Sequence, residues 1–418
     1  MAGLYRDNRT FFGIDDDTWI ALAIWSILCY WGYLNTVNGV VNTIIGKQVS
    51  WDTVVIVLVS SIFIALGSMA AVKRMERRVF LLILAIAFLW VISFIINEDA
   101  RALLRRYYFV SVMVRGLAGI LCIGHFNNWK RLAQVGKFII IPGIILFYIL
   151  TVFVINGSSQ QLYLTFSYNN LIFVVGAFWL AIRGKNKIMW VFASVGMVFL
   201  IVIGSRGAVL CAITYVVLEF LLNKKIHFAL KILFFVTVVL LFLNLENIVT
   251  QIDNILSGYG YESRTINMFF EGTLQENSGR SDFYSASVEV IKKFAVFGCG
   301  MGGSSFHLFE QIYGIQPRLP QPKYSHSLIL DFLMEYGVVF GLILLLWILI
   351  SIITAYVKGR KNGGDGVLFL LLSISICKLM FSSTYLAESQ FFILLGLLVN
   401  LNCYTNNRPW ENLGGGDR

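Results

Sequence analysis

Three residues in this chain could take part in binding or catalysis: two arginines, Arg206 and Arg280, and one histidine, His326. A guanidinium stays charged at any working pH, and its fork of N–H donors can bind two oxygen atoms of a phosphate group. Two guanidiniums on one face would therefore suit a doubly charged diphosphate. The imidazole stands at a predicted helix start, where the helix dipole opposes a second positive charge and keeps the ring neutral and able to accept a proton.

Each of these residues also has a simpler interpretation. Arg206 lies between two apolar runs, and an arginine at such a place also serves as an interface anchor that reaches lipid phosphate. Arg280 is equally a solvated loop residue, and His326 a polar residue whose hydrogen bonds are satisfied at a helix start. A fourth residue, Arg115, stands in the middle of a predicted membrane span, where a charge is either paired across the bundle or functional.

The composition places these residues in a membrane protein. Of the 418 residues, 58% are hydrophobic and 13% are charged, and the mean hydropathy of +0.76 is too high for a soluble protein. Apolar runs of about 20 residues recur along the chain, which predicts an all-α, polytopic membrane protein. The formal net charge of +10 is better explained by basic cytoplasmic loops than by binding to nucleic acid.

The apolar runs divide into twelve candidate membrane spans. Their predicted bounds are 18–34, 52–72, 79–97, 107–126, 136–156, 168–183, 188–204, 207–222, 228–247, 336–358, 366–384 and 386–402. The whole chain, 1–418, is predicted to be a single membrane domain. One long polar segment, about 248–335, forms its large outer loop and carries part of the site.

The distribution of Lys and Arg predicts the orientation. Most basic residues of the short loops belong to one alternating set of loops, which is therefore cytoplasmic. These residues are Lys73, Arg74, Arg77 and Arg78; Lys130, Arg131 and Lys137; Arg183, Lys185 and Lys187; Lys224 and Lys225; and Lys358, Arg360 and Lys361. Both termini fall on that side as well. Arg206 and the 248–335 loop then share the outer face.

The outer loop is predicted to contain short helices. Ser281 can cap a helix whose apolar positions follow helical spacing. The glycines between positions 298 and 303 end that helix in a tight turn rather than a phosphate cradle, because the Lys-Ser/Thr ending of such cradles is missing. Ser325 is the predicted N-cap of the helix that enters the membrane near Tyr336.

Five short motifs follow one another between about residues 204 and 341. They are Ser205-Arg206-Gly207-Ala208, Gly279-Arg280, Phe297-Gly298-Cys299-Gly300-Met301-Gly302, His326-Ser327-Leu328 and Glu335-Tyr336-Gly337-Val338-Val339-Phe340-Gly341. Their order resembles the O-antigen polymerase and O-antigen ligase superfamily, which comprises the Wzy and WaaL families. Twelve spans with one large loop also fit. Ser327 departs from the pattern, since asparagine often follows this histidine in the ligases.

The resemblance implies a glycosyltransferase that works by metal-independent, inverting transfer on the periplasmic face of the bacterial inner membrane. The donor would be a glycan on undecaprenyl diphosphate, and a sugar hydroxyl of a second lipid-linked repeat unit would attack its anomeric carbon. Arg206 and Arg280 correspond to arginines that hold the diphosphate, and His326 to the histidine that acts as a base or orients the acceptor. The predicted substrate-binding group also includes Arg115, Tyr324 and Arg264.

No metal and no other cofactor is expected. The first outer loop, about 35–51, has no carboxylate, whereas metal-dependent membrane glycosyltransferases of the oligosaccharyltransferase type usually carry an acidic motif there. The six cysteines are scattered without the spacing of a metal site, and Asp15-Asp16-Asp17 is predicted to be a solvated cytoplasmic end. The expected partners are membrane lipid and the lipid-linked oligosaccharide; the family alone adds a flippase and a chain-length regulator.

Two alternatives to a polymerase remain. A ligase would move finished glycan to lipid A core, and the sequence does not separate it from a polymerase. A lipid-linked oligosaccharide flippase belongs to a different class and is indicated by internal repeats and by charges spread through several spans. No repeat is visible and the ionisable residues gather on one face, although Arg115 and Lys378 lie within predicted spans.

Overall fold

The computed structural model describes residues 10–11, 13–45, 50–155, 163–203, 205–224, 226–229, 231–233, 236, 243–258, 266, 270, 280–314 and 322–403. In this part of the chain the regular structure is helical apart from one short antiparallel hairpin. The hairpin pairs Thr10–Phe11 (β1) with Ile14–Asp15 (β2) directly before the first helix.

Most of the described residues belong to α-helices. They are α1 (Asp16–Ile45), α2 (Ser50–Val72), α3 (Arg77–Ile96), α4 (Glu98–Leu103), α5 (Leu117–Ile123), α6 (Trp129–Ile155), α7 (Tyr163–Ile182), α8 (Lys187–Ile203), α9 (Arg206–Leu222), α10 (Leu245–Gly258), α11 (Arg280–Lys293), α12 (Gly303–Tyr313), α13 (Leu328–Asn362), α14 (Asp365–Leu371) and α15 (Ser389–Cys403). Two π-helical segments, Leu104–Tyr108 and Val110–Gly116, lie between α4 and α5, and a third, Leu372–Cys377, continues α14.

Six of the described helices are long and apolar enough to cross a membrane, or seven if a bent pair counts as one span. The six are Asp16–Val41, Thr53–Val72, Arg77–Ile96, Trp129–Val152, Thr165–Ile182 and Leu328–Asn362, and three shorter apolar helices are Lys187–Ile203, Asp365–Cys377 and Ser389–Asn402. The all-α, membrane-spanning architecture is therefore confirmed. The number of twelve spans stays a prediction, and most of the predicted span 228–247 lies outside the described residues.

Three predicted boundaries are wrong. The predicted span 107–126 begins too late, because helix starts at Glu98 and the segment to Ile123 bends by 54° at its π-helical part. The last two predicted spans, 366–384 and 386–402, are too long at their outer ends. The π-helical segment ends at Cys377 and α15 begins at Ser389. Residues 380–387 between them form a connection, called the 380–387 loop below, that packs against the candidate site.

Ion pairs tie together the loops that were predicted to be cytoplasmic. Arg74 lies 2.6 Å from Asp17, and Arg131 pairs with Asp15. The acidic run before α1 thus serves to hold the loops after α2 and before α6, and it is partly paired rather than fully solvated as predicted. These contacts are consistent with one shared end for α1, α2 and α6.

A buried ionic cluster joins three further helices. Arg183, at the end of α7, lies between Glu219 of α9 and Asp365 of α14, with N···O distances of 2.8 and 2.9 Å. Glu219 also accepts hydrogen bonds from Tyr215 and Asn223, each at 3.0 Å. Removing one member of such a cluster would leave a buried charge without its partner, which costs about 3–5 kcal/mol. The cluster lies about 20 Å along α9 from the beginning of that helix.

A glycine turn docks onto a kink in α13. Gly337 has φ 75° and ψ 171° and interrupts the helix, and Gly298 has φ 73°. The two backbones touch, because a Cβ atom on Gly337 would lie 2.9 Å from the amide nitrogen of Gly298. The amides of Cys299 and Gly300 donate to carbonyls of α13 at 2.8 and 3.0 Å, and that of Gly302 donates to a carboxylate of α13 at 2.9 Å. This is the predicted tight turn, and its amides are already occupied.

Candidate active site

His326 lies just before α13 in a strained backbone conformation, with φ 58°. Ser327, and not the predicted Ser325, caps the helix by accepting a hydrogen bond from the amide of Leu330. Ser325 instead donates to the carboxylate of Asp331 at 2.7 Å. A left-handed φ at a residue other than glycine persists only where its surroundings hold it, and such residues concentrate at functional sites.

The imidazole of His326 is enclosed by aromatic rings and by the 380–387 loop. Its centroid lies 5.5 Å from that of Phe283 on α11 and 4.6 Å from that of Tyr324, and both rings meet it edge to face. The ring also hydrogen bonds to the backbone of Phe381. Its Nδ1 atom is buried and has no hydrogen-bond partner among the described residues. This nitrogen is therefore left for a further partner.

Burial, and after it the positive charge of Arg280, lower the pKa of His326 to about 4. The hydrogen bond to Phe381 acts in the opposite sense but is the smallest of the three influences. The ring is therefore neutral at pH 7. The sequence predicted this charge state from the helix dipole, but the structure attributes it to desolvation and to the neighbouring guanidinium.

Arg280 is the first residue of α11, which therefore begins before the predicted cap Ser281. The charge of Arg280 acts on three rings that come from different parts of the chain. These rings belong to His326, to Tyr324 and to Tyr168 of α7. The outer-loop arginine, the histidine and a membrane helix are thus close to one another. The sequence predicted the meeting of Arg280 and His326 but gave no indication of Tyr168.

The turn before α9 joins the same group through Tyr168. The side chain of Tyr168 lies directly against Gly207, so that a Cβ atom on Gly207 would overlap the phenol oxygen and lie 2.9 Å from Cζ. The same Cβ would lie 3.5 Å from Cβ of Phe381. Arg206, the residue before Gly207, is half-buried and is the first residue of α9. The backbone of the predicted Ser-Arg-Gly turn is therefore part of the site wall.

Tyr324 bridges the loop that carries His326 and the 380–387 loop. Its hydroxyl hydrogen bonds to Ser382, while burial raises the pKa of Tyr324 above its usual value. Glu388 and Arg280 also act electrostatically on this phenol. A neutral phenol at this position can donate a hydrogen bond to an anionic or hydroxyl-bearing ligand.

Two carboxylates of α13 lie behind the site, one helical turn apart. Asp331 and Glu335 are both 1% exposed. Glu335 accepts hydrogen bonds from the amide of Gly302 at 2.9 Å, from Ser304 at 2.6 Å and from Tyr385. It joins the glycine turn and the 380–387 loop to α13.

Arg115 is not brought into this group. Its guanidinium packs on two rings of α1, 3.8 Å from the centroid of Tyr30 and 5.1 Å from that of Trp31. The side chain is buried, and its Nη1 atom has no hydrogen-bond partner among the described residues. The described contacts of Arg115 include none with Arg280 or His326. A substrate role for Arg115 thus has no geometric support, and Arg264, Gly204 and Gly279 lie outside the described residues.

Sequence reasoning missed the residues that the 380–387 loop and α7 contribute. These are Tyr168, Phe381 and Ser382, together with the ion pair Lys378–Glu388 that flanks the loop. Lys378 and Glu388 could have indicated that the 380–387 loop is functional, because these two ionisable residues interrupt the last apolar stretch of the chain. Among the described residues, no three His, Cys, Asp or Glu side chains lie close enough to hold a metal ion. The absence of a metal cofactor nevertheless stays a prediction.

Residues 191–346, which include Arg206, Arg280 and His326, match the family model Wzy_C, described as O-antigen ligase. This match supports the resemblance of the chain to the O-antigen polymerase and ligase superfamily. The matched segment extends from α8 to beyond the Gly337 kink, and so contains both the turn before α9 and the start of α13. No curated protein matches the chain. The match supports a glycosyl-transferring membrane enzyme in lipopolysaccharide biosynthesis.

Proposed function

We propose that this protein is a polysaccharide polymerase of the superfamily. It transfers a glycan from undecaprenyl diphosphate to the terminal sugar hydroxyl of another lipid-linked repeat unit, in a single membrane domain. The observation that carries the proposal is the meeting of Arg280 and His326 beside the turn that holds Arg206. An anion-binding group and a neutral imidazole in one place are what such a transfer needs.

The arginines would act on the leaving group. As the bond between the anomeric carbon and the phosphate oxygen breaks, its electron pair goes to the diphosphate and the negative charge there grows. Arg206 and Arg280 stabilise that charge, and fixed donors in a site that excludes water do so without reorganising during the step. Guanidiniums keep their charge at any pH, so no metal is required for this part of the reaction.

His326 would act on the acceptor. The acceptor oxygen forms the new bond to the anomeric carbon and loses its proton, which the imidazole accepts or orients. With a pKa of about 4 the ring is a weak base while the site lacks an anion. A bound diphosphate would offset the charge of Arg280 and raise the pKa of His326. The base therefore becomes effective when the donor is bound, which limits futile hydrolysis.

An O-antigen ligase is the second candidate, favoured by the description of the matching family model as O-antigen ligase. A ligase would use the same donor and the same three residues, with lipid A core as the acceptor. For either enzyme we propose a location in the bacterial inner membrane with the site facing the periplasm. A chain-length regulator and a flippase are the proposed partners. A flippase function for the chain itself has no comparable support, because the ionisable site residues gather in one group.

The acceptor decides between polymerase and ligase. Purified protein in liposomes is incubated with a lipid-linked repeat unit alone, and in parallel with lipid A core added, and the products are separated by size. A polymerase gives a ladder in the first reaction. A ligase gives product in the second reaction alone, and that outcome would overturn the polymerase proposal.

A further inference from the structure

A buried ion pair flanks the 380–387 loop. The ammonium of Lys378 lies 2.7 Å from a carboxylate oxygen of Glu388, and the two side chains are 5% and 8% exposed. The pair thus ties the end of the π-helical segment to the residue before α15. Lys378 also lies 5.9 Å from the ring centroid of Tyr168, the residue that packs on Gly207.

The backbone of Lys378 holds the two loop residues that contact the site. Its carbonyl accepts hydrogen bonds from the amides of Phe381 and Ser382, at 3.1 and 2.8 Å. Phe381 is the residue whose backbone bonds to the imidazole of His326, and Ser382 is the one whose side chain bonds to Tyr324. A short and continuous set of contacts therefore runs from the ion pair to the imidazole and the phenol.

The other end of the loop is fastened separately. Tyr385 bonds to Glu335, and its hydroxyl lies 2.8 Å from that of Tyr336. The start of the loop has no comparable link to α13 among the described residues except through His326 and Tyr324 themselves. The backbone amides of Phe381 and Ser382 both donate to Lys378, so a shift of Lys378 would move both residues.

The pair is poorly explained by stability alone. Two buried charges lose hydration that their attraction repays only when every remaining polar atom is bonded. The second carboxylate oxygen of Glu388 is buried and has no hydrogen-bond partner among the described residues. An apolar pair would link the same two segments at less desolvation cost, so a role in orientation accounts better for the charges.

We propose that Lys378 and Glu388 are positioning residues. Resting on the polymerase function proposed above, their ion pair holds Phe381 and Ser382 where these orient His326 and Tyr324 for the acceptor hydroxyl. Neither residue of the pair touches the substrate. Loss of the pair displaces the imidazole without removing any group that binds the diphosphate.

The test compares three variants: Lys378→Met, Glu388→Gln, and the charge-exchanged double variant Lys378→Glu with Glu388→Lys. Each single variant is expected to lower kcat by about 10²-fold, the effect of displacing a reacting group by about 1 Å, with the KM for the lipid-linked donor unchanged. The double variant restores an ion pair and should recover much of kcat. A rise in donor KM instead, or a double variant as inactive as the singles, would mean that Lys378 acts on the substrate and would overturn the inference.

Arg183→Met is the matched control, because it breaks a buried ion pair far from the site. It is expected to lower the amount of folded protein and to leave kcat per folded molecule near that of the wild type. If the Lys378 and Glu388 variants behave in the same way, the pair is structural only and the inference fails.

A second readout does not depend on turnover. Carbethoxylation of His326 by diethyl pyrocarbonate, followed by mass spectrometry, should change in rate in Lys378→Met and not in Arg183→Met. An unchanged rate would contradict the positioning role. The two possible failures are distinguishable: a wild type that transfers no glycan overturns the proposed function, whereas an active wild type with unaffected variants overturns this inference alone.

Discussion

The phenol of Tyr168 lies so close to Gly207 that any side chain on Gly207 would overlap it. This contact joins α7 to the turn before α9 and places the backbone of that turn beside Arg280 and His326 through a single aromatic ring. It also explains why a small residue follows Arg206. A methyl group there has to displace Tyr168 or the helix start.

Gly207→Ala should therefore destabilise the site by about 1–3 kcal/mol, the usual penalty for overpacking, and reduce polymer formation. Adding Tyr168→Phe removes the overlapping oxygen and should recover part of the loss. Gly258→Ala is the control, because nothing lies within 4 Å of the added Cβ. Thermal unfolding and polymer length are measured for each variant. Equal behaviour of the two alanine variants would refute the contact.

His326→Ala should lower kcat by about 10²–10⁴-fold, the contribution typical of a proton-accepting side chain. His307 provides the control, since its ring packs on Phe294 with a centroid distance of 4.5 Å and its Nδ1 lies 3.4 Å from Glu310, outside the site. His307→Ala should retain most of the activity of each folded molecule. Polymer formed per milligram of folded protein is the measurement, and equal losses in both variants would contradict a catalytic His326.

The pH dependence of kcat/KM should follow the lowered pKa of His326. The reactive form is neutral, so activity is retained as the pH falls from 7 to 5 and declines as it passes through about 4. In the unfolded chain the same imidazole titrates near pH 6.5. The unfolded state therefore binds more protons between about pH 6.5 and 4, and the free energy of unfolding decreases as the pH falls through that window. An acidic limb centred near pH 6.5 in the free enzyme would show that burial and Arg280 do not act on this ring.

Arg206→Ala and Arg280→Ala should abolish polymer without removing the protein from the membrane, and the lysine variants should fail as well. An ammonium cannot reproduce the two parallel hydrogen bonds of a guanidinium to phosphate oxygens, and the loss of one such donor costs about 10²–10³-fold in kcat. Lys292→Ala, at the exposed end of the same α11 helix, is the control. Full activity of Arg280→Lys would mean that only the charge matters.

The sequence was sufficient for the class of fold and for the meeting of Arg280 with His326. Continuous apolar runs have one stable solution in lipid, the helix, and charge bias predicts that the 248–335 loop and Arg206 share one side. The tight glycine turn also followed from the sequence, because its spacing lacks the residues of a phosphate cradle.

The remaining parts of the site depend on packing that no local pattern encodes. Tyr168 belongs to the site because α7 packs against the start of α9. The hydropathy of the sequence does not predict which face of a helix contacts which neighbouring helix. The segment 380–387 was assigned to the last two predicted spans, 366–384 and 386–402, because the residues at its two ends are apolar. The hydrogen bonds of Glu335 could not be predicted for a similar reason: its partners, Ser304 and Tyr385, are distant in sequence.

The central claim is that one site containing Arg206, Arg280 and His326 transfers glycan from undecaprenyl diphosphate. Its most direct test is the release of undecaprenyl diphosphate by purified protein in liposomes supplied with a lipid-linked repeat unit and a metal chelator. The wild type should release it in step with polymer growth, and the three alanine variants, present in wild-type amounts, should release none. No release by the wild type, or release at the wild-type rate by the variants, would contradict the claim.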